Sequence, residues 1–136
     1  MRILALDPGT VRVGVAVSDE LQMIATPLEF IPAAPWADLL TRLKQILAEK
    51  DVGQIIVGMP RNMDGSYGPA AEKAREFVAA LQAEIATPIR TWDERLTTRL
   101  ASRMMSQAGR RAKDQKSRVD QAAAAVLLQG YLESVG

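Results

Sequence analysis

Three carboxylate positions in this 136-residue chain have the residue types that metal-dependent chemistry requires. Asp7 closes a short apolar run at the amino terminus, the pair Asp93 and Glu94 follows a later short run, and Asp120 precedes a stretch of alanines. Carboxylate oxygens are the ligands that hard cations such as Mg²⁺ and Mn²⁺ prefer. Three acids brought together from distant parts of the chain would therefore form a site for either ion.

The composition removes most other catalytic mechanisms. The sequence contains no cysteine and no histidine. It therefore excludes disulfides, thiolate nucleophiles, cysteine-bound metal clusters, the serine–histidine–aspartate triad and imidazole ligands. Catalysis must use carboxylates, lysine or hydroxyl groups, or a metal ion bound by oxygen. A length of 136 residues with 48% hydrophobic residues predicts a single globular domain.

The apolar pattern predicts an α/β fold in the order β-β-β-α-β-α-β-α-α. Three strands joined by short turns, then strands alternating with helices, predict a five-stranded mixed sheet with helices on both faces. Strands one, four and five should be parallel, and the prolines in and after strand three favour an edge position. The predicted strands are Arg2 to Asp7, Val13 to Ser18, one within Gln22 to Ile31, Gln54 to Gly58, and Pro88 to Trp92. The predicted helices run from about Pro35 to Lys50, from Pro69 to about Ile85, from Thr97 to Gln107 and from Arg118 to Glu133.

These elements bring the acids to one edge of the sheet. Ligands of open α/β sheets bind at the carboxyl ends of the parallel strands. Asp7 should end strand one, Asp93 and Glu94 should lie just beyond strand five, and Asp120 should open the last helix. Strand periodicity does not choose between Asp93 and Glu94.

Each acid also has an ordinary structural interpretation. Asp7 is typical of the first residue of a turn, and either Asp93 or Glu94 suits the cap of the helix that follows. Asp120 lies three residues after Ser117, which is the spacing of a capping box. Only the joint placement of the acids favours a metal site.

The basic residues are concentrated in one segment. Residues 95–118 hold eight Lys or Arg side chains and a single acid, a charge balance that suits a phosphate backbone, although a solvated surface is the alternative. Between Arg110 and Arg118 only Ala112 is apolar, which predicts a loop that orders on binding. A second loop, from Met59 to Gly68, could contact phosphate through Arg61, or could be an ordinary crossover loop. The nucleic-acid-binding candidates are Arg61, Arg95, Arg110, Arg111, Lys113, Lys116 and Arg118.

Four motifs in order resemble the YqgF/RuvX family over essentially the whole chain. They are Asp7-Pro8-Gly9 with Gly14-Val15-Ala16-Val17-Ser18-Asp19, then Val57-Gly58-Met59-Pro60-Arg61-Asn62-Met63-Asp64-Gly65, then Asp93-Glu94-Arg95-Leu96-Thr97-Thr98, and finally Val119-Asp120-Gln121-Ala122-Ala123-Ala124. The resemblance implies a small bacterial nuclease with the RNase H fold. It also implies that Asp7, Glu94 and Asp120 are the catalytic, metal-binding acids, and so selects Glu94 over Asp93.

The implied reaction is hydrolysis of phosphodiester bonds with Mg²⁺ or Mn²⁺. Two ions about 4 Å apart activate water and neutralise the leaving oxygen, so no histidine is needed. Two activities are proposed for the family, processing of the 5′ end of the 16S rRNA precursor and resolution of four-way DNA junctions. The expected partner is therefore structured RNA or branched DNA, and a symmetric junction would suit a homodimer. Without a signal peptide or a span of about 18 apolar residues, we expect a cytoplasmic protein with no membrane partner.

Two other classes remain as alternatives. Asp7-Pro8-Gly9-Thr10 before a hairpin also resembles the first phosphate loop of actin-like and sugar-kinase ATPases, but those enzymes close two such domains around a nucleotide. A non-catalytic nucleic-acid-binding or ribosome-assembly module would use the basic segment alone. Such a module would keep its activity in a chelator, whereas a metal-dependent nuclease would not.

Overall fold

The computed structural model describes residues 1–59, 68–93 and 112–135, and for residues 93 and 112–122 it describes the backbone alone. In these residues five strands form a mixed sheet with the order β3-β2-β1-β4-β5. The first three strands pair antiparallel, and β1, β4 and β5 pair parallel, which confirms the predicted topology and the edge position of β3. The strands are β1 (Arg2–Pro8), β2 (Arg12–Ser18), β3 (Ala25–Pro32), β4 (Val52–Met59) and β5 (Ile89–Asp93).

The described helices are α1 (Trp36–Glu49), α2 (Pro69–Glu84) and α3 (Ala112–Val135). Proline at the first position of α2 has no N–H to leave unsatisfied, and its φ is already helical. The helix predicted from Thr97 to Gln107 lies outside the described residues. None of the helices in the described ranges has the length and apolar character of a membrane-spanning segment.

Helix α3 begins earlier than the sequence pattern predicts. The predicted start at Arg118 is wrong, because the helix already includes Ala112. The proposed loop between Arg110 and Arg118 is therefore helical from Ala112 onward, and Asp120 lies inside the helix rather than at its cap. The physical reason is propensity, since alanine, lysine and glutamine are good helix formers and neither glycine nor proline interrupts residues 112–120. The capping-box interpretation of Asp120 falls with this correction.

Side chains alternate along β1 between two apolar cores. Leu4 and Leu6 join the core beneath α1 and α2, whereas Ile3 and Ala5 join the core beneath α3. The sheet is therefore covered on both faces, as predicted. Trp36 and Trp92 pack against these two cores as partly buried side chains.

Small side chains let α3 lie close to the middle of the sheet. Ala5 and Ala16 are fully buried beneath the helix, and Ala124 and Ala125 face them from α3. Long side chains at these positions would hold the helix axis farther from the strands. Packing thus explains the two alanines before Val126, at positions 124 and 125.

Polar contacts attach the carboxyl-terminal half of α3 to strands on either side of β1. The Gln129 side chain accepts a hydrogen bond from the Ala25 N–H and donates one to the Met23 carbonyl, at 2.9 and 3.0 Å. On the other side, Gln54 of β4 donates to the Tyr131 hydroxyl at 3.2 Å. The Tyr131 ring meets Trp92 of β5 edge to face, with 5.4 Å between centroids. The helix is therefore held against β4 and β5 as well as against the start of β3.

Candidate active site

Asp7 lies at the carboxyl end of β1, on the face of the sheet that α3 covers. Strand alternation sets this face, because Ile3 and Ala5 precede Asp7 at intervals of two and both pack beneath α3. β1 continues through Pro8, one residue beyond the predicted end. The turn then requires Gly9, since a Cβ there would lie 2.8 Å from the Arg12 carbonyl oxygen. The strand end that carries Asp7 is therefore anchored by the tight turn that follows it.

One residue from each strand forms a row across the sheet at the level of Asp7. Asp7 pairs with Gly14 of β2, and Gly14 pairs with Phe30 of β3. On the other side, the pairing of Leu6 with Val57, continued by one residue, brings Asp7 level with Gly58, which pairs with Trp92. We call these five residues the Asp7 row: Phe30, Gly14, Asp7, Gly58 and Trp92. Its central carboxylate has a glycine on each neighbouring strand and an aromatic residue at each end.

The glycine on the β2 side leaves a narrow space beside Asp7. A Cβ placed on Gly14 would lie 3.7 Å from the Asp7 Cβ, 3.7 Å from the Ala124 Cβ and 3.4 Å from Phe30 Cε1. Asp7 and α3 therefore approach each other at Ala124. Asp120 lies one helical turn before Ala124 on the backbone of α3, and its side chain is outside the described set.

The Asp7 carboxylate makes no hydrogen bond or ion pair with any group that the structure describes. It is half-buried, and its oxygens are hard donors of the type that Mg²⁺ and Mn²⁺ bind. Asp7 therefore fits the role of a metal ligand, and no ion pair within the described part of the chain explains its presence. The turn interpretation is also weakened, because the residue lies within a paired strand.

The other predicted ligands cannot be placed beside Asp7. Glu94 lies outside the described residues, and Asp93 ends β5 opposite Met59 with only its backbone described. Among the described side chains, no group of three acids gathers at one point. Of the basic candidates, Lys113, Lys116 and Arg118 lie on α3 with backbone alone, while Arg61, Arg95, Arg110 and Arg111 lie outside the described residues.

Two features near Asp7 were missed by sequence reasoning. Arg12 lies over the Phe30 ring, with the guanidinium carbon 4.0 Å from the ring centroid. A cavity of about 350 Å³ lies between the β1–β2 turn and α2, and its polar lining includes Thr10 and Lys73. Neither follows from a local pattern, because each joins residues of separate elements. A count of charges along the sequence indicates residues 95–118 and gives no signal for the isolated Arg12.

Two solved structures that share this fold are Holliday junction resolvases. RuvC of Thermus thermophilus, solved in complex with a Holliday junction substrate, superposes with a TM-score of 0.61 at 14% identity, covering 99% of this chain and 95% of that one. The yeast mitochondrial Holliday junction resolvase gives a TM-score of 0.54 at 11% identity, over 96% of this chain and 77% of that chain. At such identities the likeness concerns the fold alone. The protein therefore has the RNase H-like fold of the resolvase class.

Sequence comparison identifies the family within this class. Residues 1–134 match the model of RuvX, described as "Holliday junction resolvase", and the chain belongs to this family. A relative from Halothermothrix orenii named "Putative pre-16S rRNA nuclease" is 46% identical over 132 residues, covering 97% of this chain and 94% of the relative. A relative of the same name from Geobacillus kaustophilus is 46% identical over 136 residues, covering 98% and 99%. The resemblance noted in the four motifs is thus confirmed.

Proposed function

We propose that this protein is a divalent-metal-dependent nuclease that processes the 5′ end of the 16S rRNA precursor. Membership of a nuclease family and the names of its relatives support the reaction class and the substrate. The observation that carries the proposal is the Asp7 carboxylate, which lies at a parallel strand end between two glycines and has no partner among the described groups.

Asp7, Glu94 and Asp120 are the proposed ligands. The helical repeat supports Asp120, because residues four apart share a helix face and Ala124 is the point where α3 approaches Asp7. The resemblance of Asp93-Glu94-Arg95-Leu96-Thr97-Thr98 to the family motif supports Glu94 over Asp93. A pair of Mg²⁺ or Mn²⁺ ions would activate water and neutralise the leaving oxygen.

The role of the chain is to hold the substrate and to position these carboxylates. Lys113, Lys116 and Arg118 lie in the amino-terminal half of α3, shortly before Asp120. We propose that they bind the phosphate backbone together with Arg61, Arg95, Arg110 and Arg111. Such contacts fix the position of the substrate without selecting its sequence.

A second candidate substrate is the four-way DNA junction, which the description of the family favours. A symmetric junction has two equivalent strands to cut, so this activity would require two active sites related by a two-fold axis. We therefore link junction resolution to a homodimer. Processing of an RNA end needs one active site and places no such demand.

Cleavage assays with Asp7→Asn test the proposal. Labelled precursor rRNA and a four-way DNA junction are incubated in parallel with wild type and variant, in Mg²⁺, in Mn²⁺ and in a chelator. We expect cleavage by wild type with metal only, and a loss of several orders of magnitude in Asp7→Asn, because the amide keeps the shape but loses the charge.

Asp51→Asn is the matched control. Asp51 is an exposed residue between α1 and β4, at the opposite end of the sheet, and its φ of 52° lies in a region that asparagine also adopts. The control should cut at the wild-type rate. Cleavage at that rate by Asp7→Asn would remove Asp7 from the mechanism. Nucleic-acid binding by wild type without any cleavage in Mg²⁺ or Mn²⁺ would favour the non-catalytic module.

A further inference from the structure

Arg12 and Phe30 form an exposed pair of side chains at the end of the Asp7 row. Arg12 is the first residue of β2, and its guanidinium carbon lies 4.0 Å from the centroid of the Phe30 ring. Phe30 keeps 38% of its surface exposed. Within residues 1–59, 68–93 and 112–135, the structure gives the Arg12 guanidinium no carboxylate partner. Among the described residues, no ion pair neutralises the positive charge of Arg12.

The pair lies close to the candidate catalytic carboxylate. Gly14 pairs with Asp7 on one side and with Phe30 on the other, so two strand spacings, or about 10 Å, separate the two residues. That distance corresponds to about three nucleotides of a stacked strand at 3.4 Å each. Because Gly14 has no side chain, nothing from β2 stands between Asp7 and the ring.

The ring prepares the guanidinium for an anionic ligand. Attraction between the cation and the ring face restricts the long arginine side chain before any ligand arrives. Less side-chain entropy is then lost when the guanidinium donates two parallel hydrogen bonds to a phosphate. An exposed guanidinium that is held in place and has no carboxylate partner among the described residues can bind a phosphate without first breaking an ion pair.

We propose that Arg12, positioned by Phe30, binds a backbone phosphate of the strand whose scissile phosphate lies at Asp7. The ligand is a nucleic-acid strand, RNA or DNA, recognised through its phosphates. The proposal rests on the nuclease function proposed above. Arg12 is a binding residue in this scheme, and Phe30 is a positioning residue.

Binding of a labelled 12-nucleotide single strand, as RNA and as DNA of the same sequence, tests this proposal over a series of salt concentrations. Arg12→Ala should bind about tenfold more weakly at low salt, and its plot of log K against log salt should be shallower by about one unit. Arg12→Lys should keep the wild-type slope with a smaller loss of affinity. Phe30→Leu should also keep the slope, because the charge remains, but should bind several-fold more weakly.

Lys44→Ala is the matched control, since it removes one exposed positive charge from α1 on the other face of the sheet. It should bind like wild type. Circular dichroism establishes that each variant is folded. Equal affinity and equal slope for Arg12→Ala and wild type would overturn the role of Arg12 while leaving the nuclease intact. Failure of the wild type to cut either the precursor rRNA or the four-way DNA junction would instead overturn the proposed function, and this role with it.

Discussion

Replacement of Ser18 by alanine should destabilise the protein through one buried hydrogen bond. The Ser18 hydroxyl accepts the Ile3 N–H at 2.8 Å and donates to the Asp19 carbonyl at 2.9 Å, and the residue is only 2% exposed. Ile3 is itself 2% exposed, so its N–H would lose this partner where water has little access. A buried donor left unsatisfied costs about 1–3 kcal/mol.

This loss converts into a measurable change in melting temperature. At about 2.1 cal/mol/K per residue, the entropy of unfolding of a chain of 136 residues is about 0.29 kcal/mol/K. We therefore expect the Tm of Ser18→Ala to fall by about 3–10 °C. Thermal and urea unfolding followed by circular dichroism give the value, with the slope in urea unchanged.

Ser134→Ala is the control for the same chemical change at an exposed position. Its hydroxyl donates to the Tyr131 carbonyl at 2.7 Å near the end of α3, and alanine is the better helix former. The control should change stability by less than about 0.5 kcal/mol. Equal effects of the two substitutions, or a Tm of Ser18→Ala within 1–2 °C of wild type, would refute the argument.

Two further predictions concern charge and space. Arg42 forms a bidentate pair with Glu29 at 2.6 and 3.0 Å and thereby lowers the pKa of Glu29 below its ordinary value of 4.5. The stabilisation is present above pH 4.5 and lost as pH falls through the lowered pKa, so the Tm difference between wild type and Glu29→Gln should shrink between pH 6 and pH 3; a constant difference would contradict this. At Gly14, alanine should fit, because its Cβ would make ordinary contacts with Asp7 and Ala124, whereas valine should destabilise the fold by about 1–3 kcal/mol and reduce cleavage. Urea midpoints and cleavage rates of both variants check this, and a valine variant as stable and active as the alanine variant would count against it.

The strands and their order could be predicted because each is specified by a short, local sequence signal. The apolar runs, the turn at Pro8 and Gly9, and the proline that begins α2 each specify one element and its direction. The start of α3 could not be predicted from apolar periodicity, because residues 112–118 contain a single apolar side chain. Helix propensity alone determines that part of the chain, and a periodicity argument ignores it.

The sequence predicts at which strand end Asp7 lies, but not which residues lie beside it. Asp7 could be assigned to a strand end because the apolar run stops there. The Asp7 row could not be predicted, because the neighbours of Asp7 depend on the register of three strand pairs. A shift of one residue in a strand would move all of its side chains to the opposite face of the sheet. Phe30 and Trp92 are 62 residues apart in the sequence and lie at the two ends of the same row.

The amino-terminal half of α3 extends beyond the residues that attach this helix to the sheet. Gln129 and Tyr131 fix the helix to the β2–β3 turn and to β4, and Ala124 fixes its distance from Asp7. At 1.5 Å per residue, the backbone of Lys116 lies about 12 Å along the axis from Ala124 and that of Lys113 about 17 Å. These lengths correspond to about four and five nucleotides along one strand at 3.4 Å each. Under the proposed function, α3 would set the spacing between the basic residues and Asp7. Insertion of one residue between Lys116 and Asp120 would then rotate Lys113 and Lys116 by about 100° relative to Asp7 while leaving the core contacts of α3 unchanged.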